Sequence, residues 1–310
     1  MAPFAYVTNT GSGTVSVIDL ATNLVVATPA TTGAPIRVAL TPNGKRAFIT
    51  SRQTATGSFV SVLDTATNTV TETIPDVTDF FIAGIALTRD GKHAYIANSG
   101  NDHAVKVLDT ATSQVTATID MDNSIDVAVA PNGKHAYVTS FQGVTVIDTS
   151  TNTVVATIQV PKGSTSTTGR GIALSPDGKK AYLTNGGANA VSVIDTQAHS
   201  VSATVAVGAD PVGVAVTPDG KHAYVTNHGA GNVSVIDTAG NTVSATIPVG
   251  AEPFGVAITA DGKHAYVTNA AATSNIVSVI ATATNKVVAE ITVGNKPFAI
   301  AITPPAPVAA

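Results

Sequence analysis

The sequence contains no cysteine and no tryptophan, and only 12% of its 310 residues are charged. The lack of cysteine excludes disulfides, thiolate metal sites, covalent haem attachment through cysteine and a cysteine nucleophile. A net charge of −4 gives no general attraction to nucleic acid or anionic membranes, so neither is an expected partner. The apolar runs are short, whereas a membrane-spanning helix needs about 20 apolar residues, so no membrane insertion is expected.

The start of the chain, Met1-Ala-Pro3, lacks the basic and apolar stretches that are typical of a signal peptide. The zero cysteine count fits the cytosol and also fits many exported bacterial proteins. Localisation is therefore left open, including export or a cell-surface position if a leader has been removed.

Tyrosine reveals an internal repeat. Every tyrosine follows an alanine, and Ala47-Phe48 supplies a seventh copy of the pattern; the tyrosines are Tyr6, Tyr95, Tyr137, Tyr182, Tyr224 and Tyr266. Successive copies lie 42, 47, 42, 45, 42 and 42 residues apart, counting Phe48 in sequence. A period of this length is typical of propeller blades.

Each copy contains four short β-branched segments separated by turn residues, and no helical periodicity is sustained. The pattern predicts an all-β, seven-bladed β-propeller with four antiparallel strands, A to D, in each blade. The chain begins on a B strand (residues 4–9) and ends on an A strand (residues 298–303), and pairing these two strands would close the ring. Because a blade cannot bury its own faces, we expect one domain over residues 1–310, with a Pro/Ala-rich tail at 304–310.

Three motifs carry a family resemblance. Tyr-Val-Thr-Asn stands intact at residues 6–9, 224–227 and 266–269, and it is accompanied by Pro-Asp-Gly-Lys segments and by close variants of Val-Ile-Asp-Thr-Ala-Thr-Asn, such as residues 62–68. The chain thus resembles the YVTN family of seven-bladed propellers over essentially its whole length. Relatives of such proteins include archaeal surface-layer proteins and, more distantly, lactonase-type propellers and the propeller of nitrous-oxide reductase. The resemblance implies a fold and carries no catalytic motif over to this chain.

Two recurrent sets of polar residues are attributed to the scaffold. One repeat position holds four histidines, which Arg46 and Lys180 replace in other copies, so a metal-binding ring is not expected; the histidines are His93, His135, His222 and His264. An aspartate ends strand C in six copies, where its carboxylate can accept hydrogen bonds from the next turn; these are Asp19, Asp64, Asp109, Asp148, Asp195 and Asp237. We expect the tyrosines to pack between blades.

Function is sought where the copies disagree. In propellers the D–A and B–C loops share one end, here called the top face, which carries the channel mouth. Long insertions fall there at residues 76–83 and 161–170, residues 52–59 are expected to lengthen one B–C loop, and Phe141-Gln-Gly143 shortens another. Aromatic residues gather in or beside the same loops: Phe59, Phe80, Phe81, Phe141, Phe254 and Phe298.

Charged residues follow the same map. Arg37, Arg52 and Arg170 lie on this face, and Arg37 and Asp126 occupy a position at which four other blades have glycine. A charged side chain at that position is expected to point toward the channel opening. Phenylalanine and arginine beside a concavity are typical of a binding surface. The predicted ligand-binding residues are Arg37, Arg52, Phe80, Phe81, Asp126, Arg170, His228, Phe254 and Phe298, against the alternative that the loops simply vary.

One acidic segment has part of a cation-binding pattern, and common enzyme motifs are missing from the sequence. Asp120, Asp122 and Asp126 share the oxygen spacing of an EF-hand loop, but Ile125 replaces the expected glycine and no flanking helices are predicted, so a solvated acidic loop is favoured. The chain has no Gly-x-Ser-x-Gly elbow, phosphate loop, His-Glu-x-x-His motif or dinucleotide fingerprint. No cofactor and no metal are expected.

The sequence therefore favours a non-catalytic binding propeller that uses its top-face loops to hold a peptide, glycan or protein partner. A small molecule at the channel mouth is a further possible ligand. The alternative is a lactonase-like hydrolase or a lyase, in which Arg37 and Arg170 bind a carboxylate or an oxyanion and Asp126 or His228 acts as base.

Overall fold

The computed structural model describes residues 3–53, 57–75, 77, 82–100, 103–121, 123–161 and 171–304. These residues form 28 β-strands and one 3-10 turn, Gly186–Ala188. The strands make seven four-stranded antiparallel sheets, which are the blades of a β-propeller. The predicted fold class is thereby confirmed.

The strands follow chain order around the ring. Blade 1 contains β28 (Pro297–Ile302), β1 (Phe4–Asn9), β2 (Thr14–Asp19) and β3 (Leu24–Ala27). Blade 2 contains β4 (Ala34–Leu40), β5 (Arg46–Gln53), β6 (Gly57–Asp64) and β7 (Thr69–Pro75). Blade 3 contains β8 (Ile82–Leu87), β9 (His93–Asn98), β10 (Ala104–Asp109) and β11 (Gln114–Asp120). Blade 4 contains β12 (Val127–Val129), β13 (His135–Ser140), β14 (Gly143–Asp148) and β15 (Thr153–Gln159).

The remaining blades repeat the same arrangement. Blade 5 contains β16 (Ile172–Leu174), β17 (Lys180–Asn185), β18 (Ala190–Asp195) and β19 (Ser200–Ala206). Blade 6 contains β20 (Pro211–Val216), β21 (His222–Asn227), β22 (Asn232–Asp237) and β23 (Thr242–Pro248). Blade 7 contains β24 (Pro253–Ile258), β25 (His264–Asn269), β26 (Ile276–Ala281) and β27 (Lys286–Thr292).

Blade 1 closes the ring with both ends of the chain. Strand β28 pairs antiparallel with β1, with Ala5 opposite Ile302 and Tyr6 opposite Ala301. The pairing gives β1 a partner on each side and leaves no open edge between the first and last strands. The predicted closure is confirmed, with β28 beginning one residue earlier than expected, at a proline that an innermost edge strand tolerates.

The core lies between blades. Seven apolar clusters each join one blade to the next, and that between blades 1 and 2 contains Tyr6, Val15 and Val17 together with Ile49 and Leu63. Strands B and C are buried on both faces, as the pattern of Val-Ser-Val-Ile segments requires, while the D strands are largely exposed. The low charge content follows from this two-sided burial.

The tyrosines also connect blades, as predicted. Four tyrosines donate a hydrogen bond from the hydroxyl to the side-chain oxygen of an asparagine in the C–D turn of the next blade. The pairs are Tyr6–Asn68, Tyr95–Asn152, Tyr224–Asn285 and Tyr266–Asn23. All four asparagines are left-handed, with φ of 54°, 56°, 51° and 57° in that order. This contact, here called the Tyr–Asn latch, explains why tyrosine and asparagine recur together.

The strand-C aspartates behave as expected, because Asp19 and Asp237, for example, accept backbone N–H groups of the following turn. One expectation is wrong in detail. Of the residues 52–59 expected in an enlarged B–C loop, 52–53 belong to β5 and 57–59 to β6, with Arg52 opposite Ser58 and Gln53 opposite Gly57; residues 54–56 lie outside the described residues. Among the residues that the structure describes, no helix is long and apolar enough to span a membrane.

Candidate functional site

The A strands surround the central channel: β4, β8, β12, β16, β20, β24 and β28. Glycine recurs near the start of these strands because the neighbouring backbone passes very close. A Cβ on Gly213 would collide with the Phe254 carbonyl, and one on Gly255 would lie 2.8 Å from the Phe298 carbonyl oxygen. Blades 1, 2 and 4 carry a side chain at this position, in Ala299, Arg37 and Asp126, and all three residues line the central cavity.

Arg37 and Asp126 form an ion pair inside the channel. The Arg37 Nε lies 4.0 Å from the Asp126 Oδ1, and their side chains are 17% and 19% exposed. They come from blades 2 and 4, so the pair passes in front of blade 3. Asp126 Oδ1 also accepts the N–H of Val127 at 3.0 Å. Two residues that replace glycine in different blades therefore meet in one place.

The environment acts on both charges. Burial raises the pKa of the Asp126 carboxyl, and Arg37 with the N–H groups of Val127 and Ile172 opposes that rise. Burial lowers the pKa of the Arg37 guanidinium; the Asp126 carboxylate opposes this, and the nearby charge of Arg52 adds to it. Each of the two groups therefore stabilises the charged form of the other.

Two stacked phenyl rings stand beside this pair. The rings of Phe254 and Phe298 have centroids 3.7 Å apart and an interplanar angle of 28°. The Arg37 guanidinium carbon lies 5.1 Å from the Phe254 centroid and 5.5 Å from the Phe298 centroid. These are cation–π distances. Both phenylalanines are half-buried, and they come from the adjacent blades 7 and 1.

His228 extends the cluster outward. Its ring lies edge-on to Phe254 at 6.3 Å, while its Nδ1 is 3.4 Å from Asp210 Oδ2 and its Nε2 is 3.8 Å from Glu252 Oε2. Asp210 and Glu252 each precede a proline in the left-handed region, with φ of 51° and 53°. Their carbonyls accept the N–H groups of His228 and Ala270, which ties each D–A loop to a B–C loop.

A cavity of about 160 Å³ borders the cluster. It is lined by the A-strand region of all seven blades, including Arg37, Asp126 and Phe254. Because the A strands are the inner edge of each sheet, backbone groups without a strand partner face this space. The cavity is therefore polar as well as apolar, and it is open to a ligand of modest size.

The structure brings together four of the nine residues singled out in the sequence: Arg37, Asp126, Phe254 and Phe298. His228 touches the edge of this group, and Arg52 is exposed on β5, where its charge acts on Arg37. Phe80, Phe81 and Arg170 lie outside the described residues. We call Arg37, Asp126, Phe254 and Phe298 the channel cluster.

Asp120 and Asp126, two of the aspartates considered as cation ligands, have different surroundings in the structure. Asp126 faces Arg37, Asp120 ends the outer strand β11, and Asp122 lies outside the described residues. Within the described part of the chain, no three histidine or acidic side chains are placed to hold a metal ion. Sequence reasoning missed the part of Asp210 and Glu252 beside His228; the signal was an acidic residue before proline in two successive D–A loops.

Comparison with known proteins finds a family match for part of the chain. Residues 164–260 match the YNCE-like β-propeller family. Among curated proteins, none matches the chain. In contrast, 1656 solved chains match it, so fold alone selects no function.

Three of these structures show the range. The chain is similar to hydrazine synthase of Kuenenia stuttgartiensis, with a TM-score of 0.77 and 25% identity over 87% of this chain and 90% of that one. It is similar to a functionally unknown protein from Desulfotomaculum acetoxidans DSM 771, with a TM-score of 0.81 and 18% identity over 97% and 99%. Dihydro-heme d1 dehydrogenase NirN in complex with DHE gives a TM-score of 0.69 and 15% identity over 96% and 74%. The chain is therefore a seven-bladed β-propeller, consistent with a YVTN-like propeller, and its residues 164–260 match the YNCE-like β-propeller family.

Proposed function

We propose that this chain is a non-catalytic binding propeller that holds a peptide, glycan or protein partner on its top face. Phe254, Phe298 and Arg37 are the central contacts, with His228 and Arg52 around them. The observation that carries the proposal is the half-buried Phe254–Phe298 stack with the Arg37 guanidinium against both rings.

Aromatic residues and arginine dominate the energetic centres of binding surfaces because they offer large contact areas at low cost in side-chain entropy. The two rings stack on each other, and Arg37 is paired with Asp126, so these side chains are already ordered. Binding of a partner would therefore cost little side-chain entropy. A stacked ring face suits the apolar face of a sugar as well as an aromatic or proline side chain.

Repeat-compatible variants test this proposal. The position of Phe254 and Phe298 is occupied by Val212 in blade 6, so Phe254→Val with Phe298→Val keeps a side chain that the fold already accepts. Labelled wild-type protein is screened on peptide and glycan arrays, and the affinity of the strongest ligand is then measured. We expect the double variant to bind about tenfold more weakly or worse.

Phe141→Val is the matched control, because Phe141 is a 42% exposed aromatic residue in a top-face turn outside the channel cluster. The control should bind as the wild type does. If the double variant retains wild-type affinity, or if the control loses as much, the channel cluster is not the binding surface.

One observation favours the second candidate, a hydrolase or lyase: burial raises the pKa of the Asp126 carboxyl, as in many catalytic bases. Against it, the same carboxylate is already engaged with Arg37 and Val127, and His228 has a carboxylate near each ring nitrogen. Turnover of lactones or esters by the wild type that is lost in Asp126→Asn would favour the enzyme.

A further inference from the structure

Arg37 has hydrogen-bonding capacity that the protein does not use. Its guanidinium carries five N–H donors, yet it makes no hydrogen bond to any residue that the structure describes, and its Nη1 is buried without a partner. The nearest carboxylate oxygen lies 4.0 Å from Nε, which is beyond hydrogen-bond length. Buried donors are almost always paired, so an acceptor is expected beside Arg37.

The adjoining space fits a small acceptor. The cavity of about 160 Å³ borders Arg37, and a protein cavity of roughly 150 Å³ holds a benzene molecule. A ligand of about six non-hydrogen atoms therefore fits without rearrangement. The backbone edges of the A strands supply further polar contacts within the same space.

The charged residues beside the cavity favour a ligand with a single negative charge. Arg37 and Asp126 balance each other, and the charge of Arg52 also reaches Arg37. One added negative charge would neutralise the three groups together, whereas a dianion would leave charge uncompensated in a largely buried place. A planar carboxylate matches the donor geometry of guanidinium better than a spherical anion does.

From these three observations we propose that the channel cavity binds a small free monocarboxylate, of about six non-hydrogen atoms or fewer, through the guanidinium of Arg37. This site shares Arg37 with the proposed partner surface but does not depend on that surface. The channel would then bind a small ligand that is distinct from the partner on the top face.

The test uses sodium propionate with the full chain at neutral pH and constant ionic strength, followed by ligand-observed NMR and calorimetry. Propionamide is the neutral isostere, benzoate is the oversized acid, and sodium sulfate is the dianion. Arg37→Ala places at this position the residue that blade 1 has at Ala299, and Arg37→Ala with Asp126→Gly also removes the lone carboxylate. Lys45→Ala, on the opposite face, is the control.

We expect saturable binding of propionate to the wild type and to Lys45→Ala, a loss of affinity of about tenfold or more in both Arg37 variants, and no binding of the other three probes. Absence of saturable propionate binding overturns the proposal, as does equal binding to the Arg37 variants or equal binding of propionamide. If the Phe254 and Phe298 substitutions weaken partner binding but propionate does not bind, the proposed function stands and this inference fails. If propionate binds through Arg37 but the Phe254 and Phe298 substitutions leave partner binding unchanged, this inference stands and the proposed function fails.

Discussion

Removal of Arg37 alone should lower the free energy of unfolding more than removal of Arg37 and Asp126 together. In Arg37→Ala the Asp126 carboxylate stays in the channel with the Val127 N–H at 3.0 Å but without its cation. In Arg37→Ala with Asp126→Gly, both positions carry residues that other blades have there, so neither charge remains.

The size of the difference follows from burial. Breaking a fully buried ion pair by deleting one partner costs about 3–5 kcal/mol, whereas removing both partners is often nearly neutral. The two side chains are 17% and 19% exposed toward the channel, so solvent screens part of the lone charge. We expect Arg37→Ala to lose about 2 kcal/mol of unfolding free energy and the double variant to lie within about 1 kcal/mol of wild type.

The pH dependence has a fixed sign. Burial raises the pKa of Asp126 and Arg37 opposes that rise, so deletion of Arg37 raises the pKa further. A carboxyl whose pKa is higher in the folded state favours folding below its unfolded pKa and loses that contribution as pH rises through the folded value. The deficit of Arg37→Ala relative to the double variant should therefore be largest at neutral pH and shrink on acidification.

Chemical denaturation followed by circular dichroism, at several pH values between neutral and mildly acidic, measures all three proteins. Equal stability of Arg37→Ala and the double variant at neutral pH would contradict this prediction. A deficit that does not change with pH would also refute it, because the lone carboxylate would then not be the cause.

Three further predictions concern the ring. Phe48 lacks the hydroxyl and Ser113 the amide of a Tyr–Asn latch, so Phe48→Tyr with Ser113→Asn should stabilise the fold by about 1 kcal/mol in thermal melts, more than either change alone. Deletion of residues 297–310 removes β28 and should lower the melting temperature strongly; an unchanged value would contradict ring closure. Burial raises the pKa of four tyrosines to about 12; they are Tyr6, Tyr95, Tyr224 and Tyr266. Their titration, followed by ultraviolet absorbance, should therefore begin well above pH 10. The free energy of unfolding should fall as the pH rises through that range.

The fold was readable because the repeat presents each local signal seven times. The spacing of the tyrosines gave the blade length, and the strand at residues 4–9 with that at 298–303 gave the closure. The latch was only half visible, since the sequence shows that Tyr95 and Asn152 belong to recurrent positions but not that they meet across two blades. Contacts between blades depend on how the ring curves, which no single repeat encodes.

The candidate site was readable where a repeat position changes its chemistry. Arg37 and Asp126 stood out because they replace glycine, yet their meeting across blade 3 depends on the long reach of the arginine side chain and the width of the channel. The extension of β5 and β6 was missed because residues 52–59 lack the apolar and polar alternation that indicates a half-buried strand.

The most direct measurement of the central claim is a crystal structure of the protein with the strongest ligand from the arrays. We expect this ligand to contact the stacked rings of Phe254 and Phe298 at the channel mouth and to lie within reach of Arg37. A ligand seated on the opposite face or on the exposed outer strands, with the channel cluster untouched, would contradict this expectation.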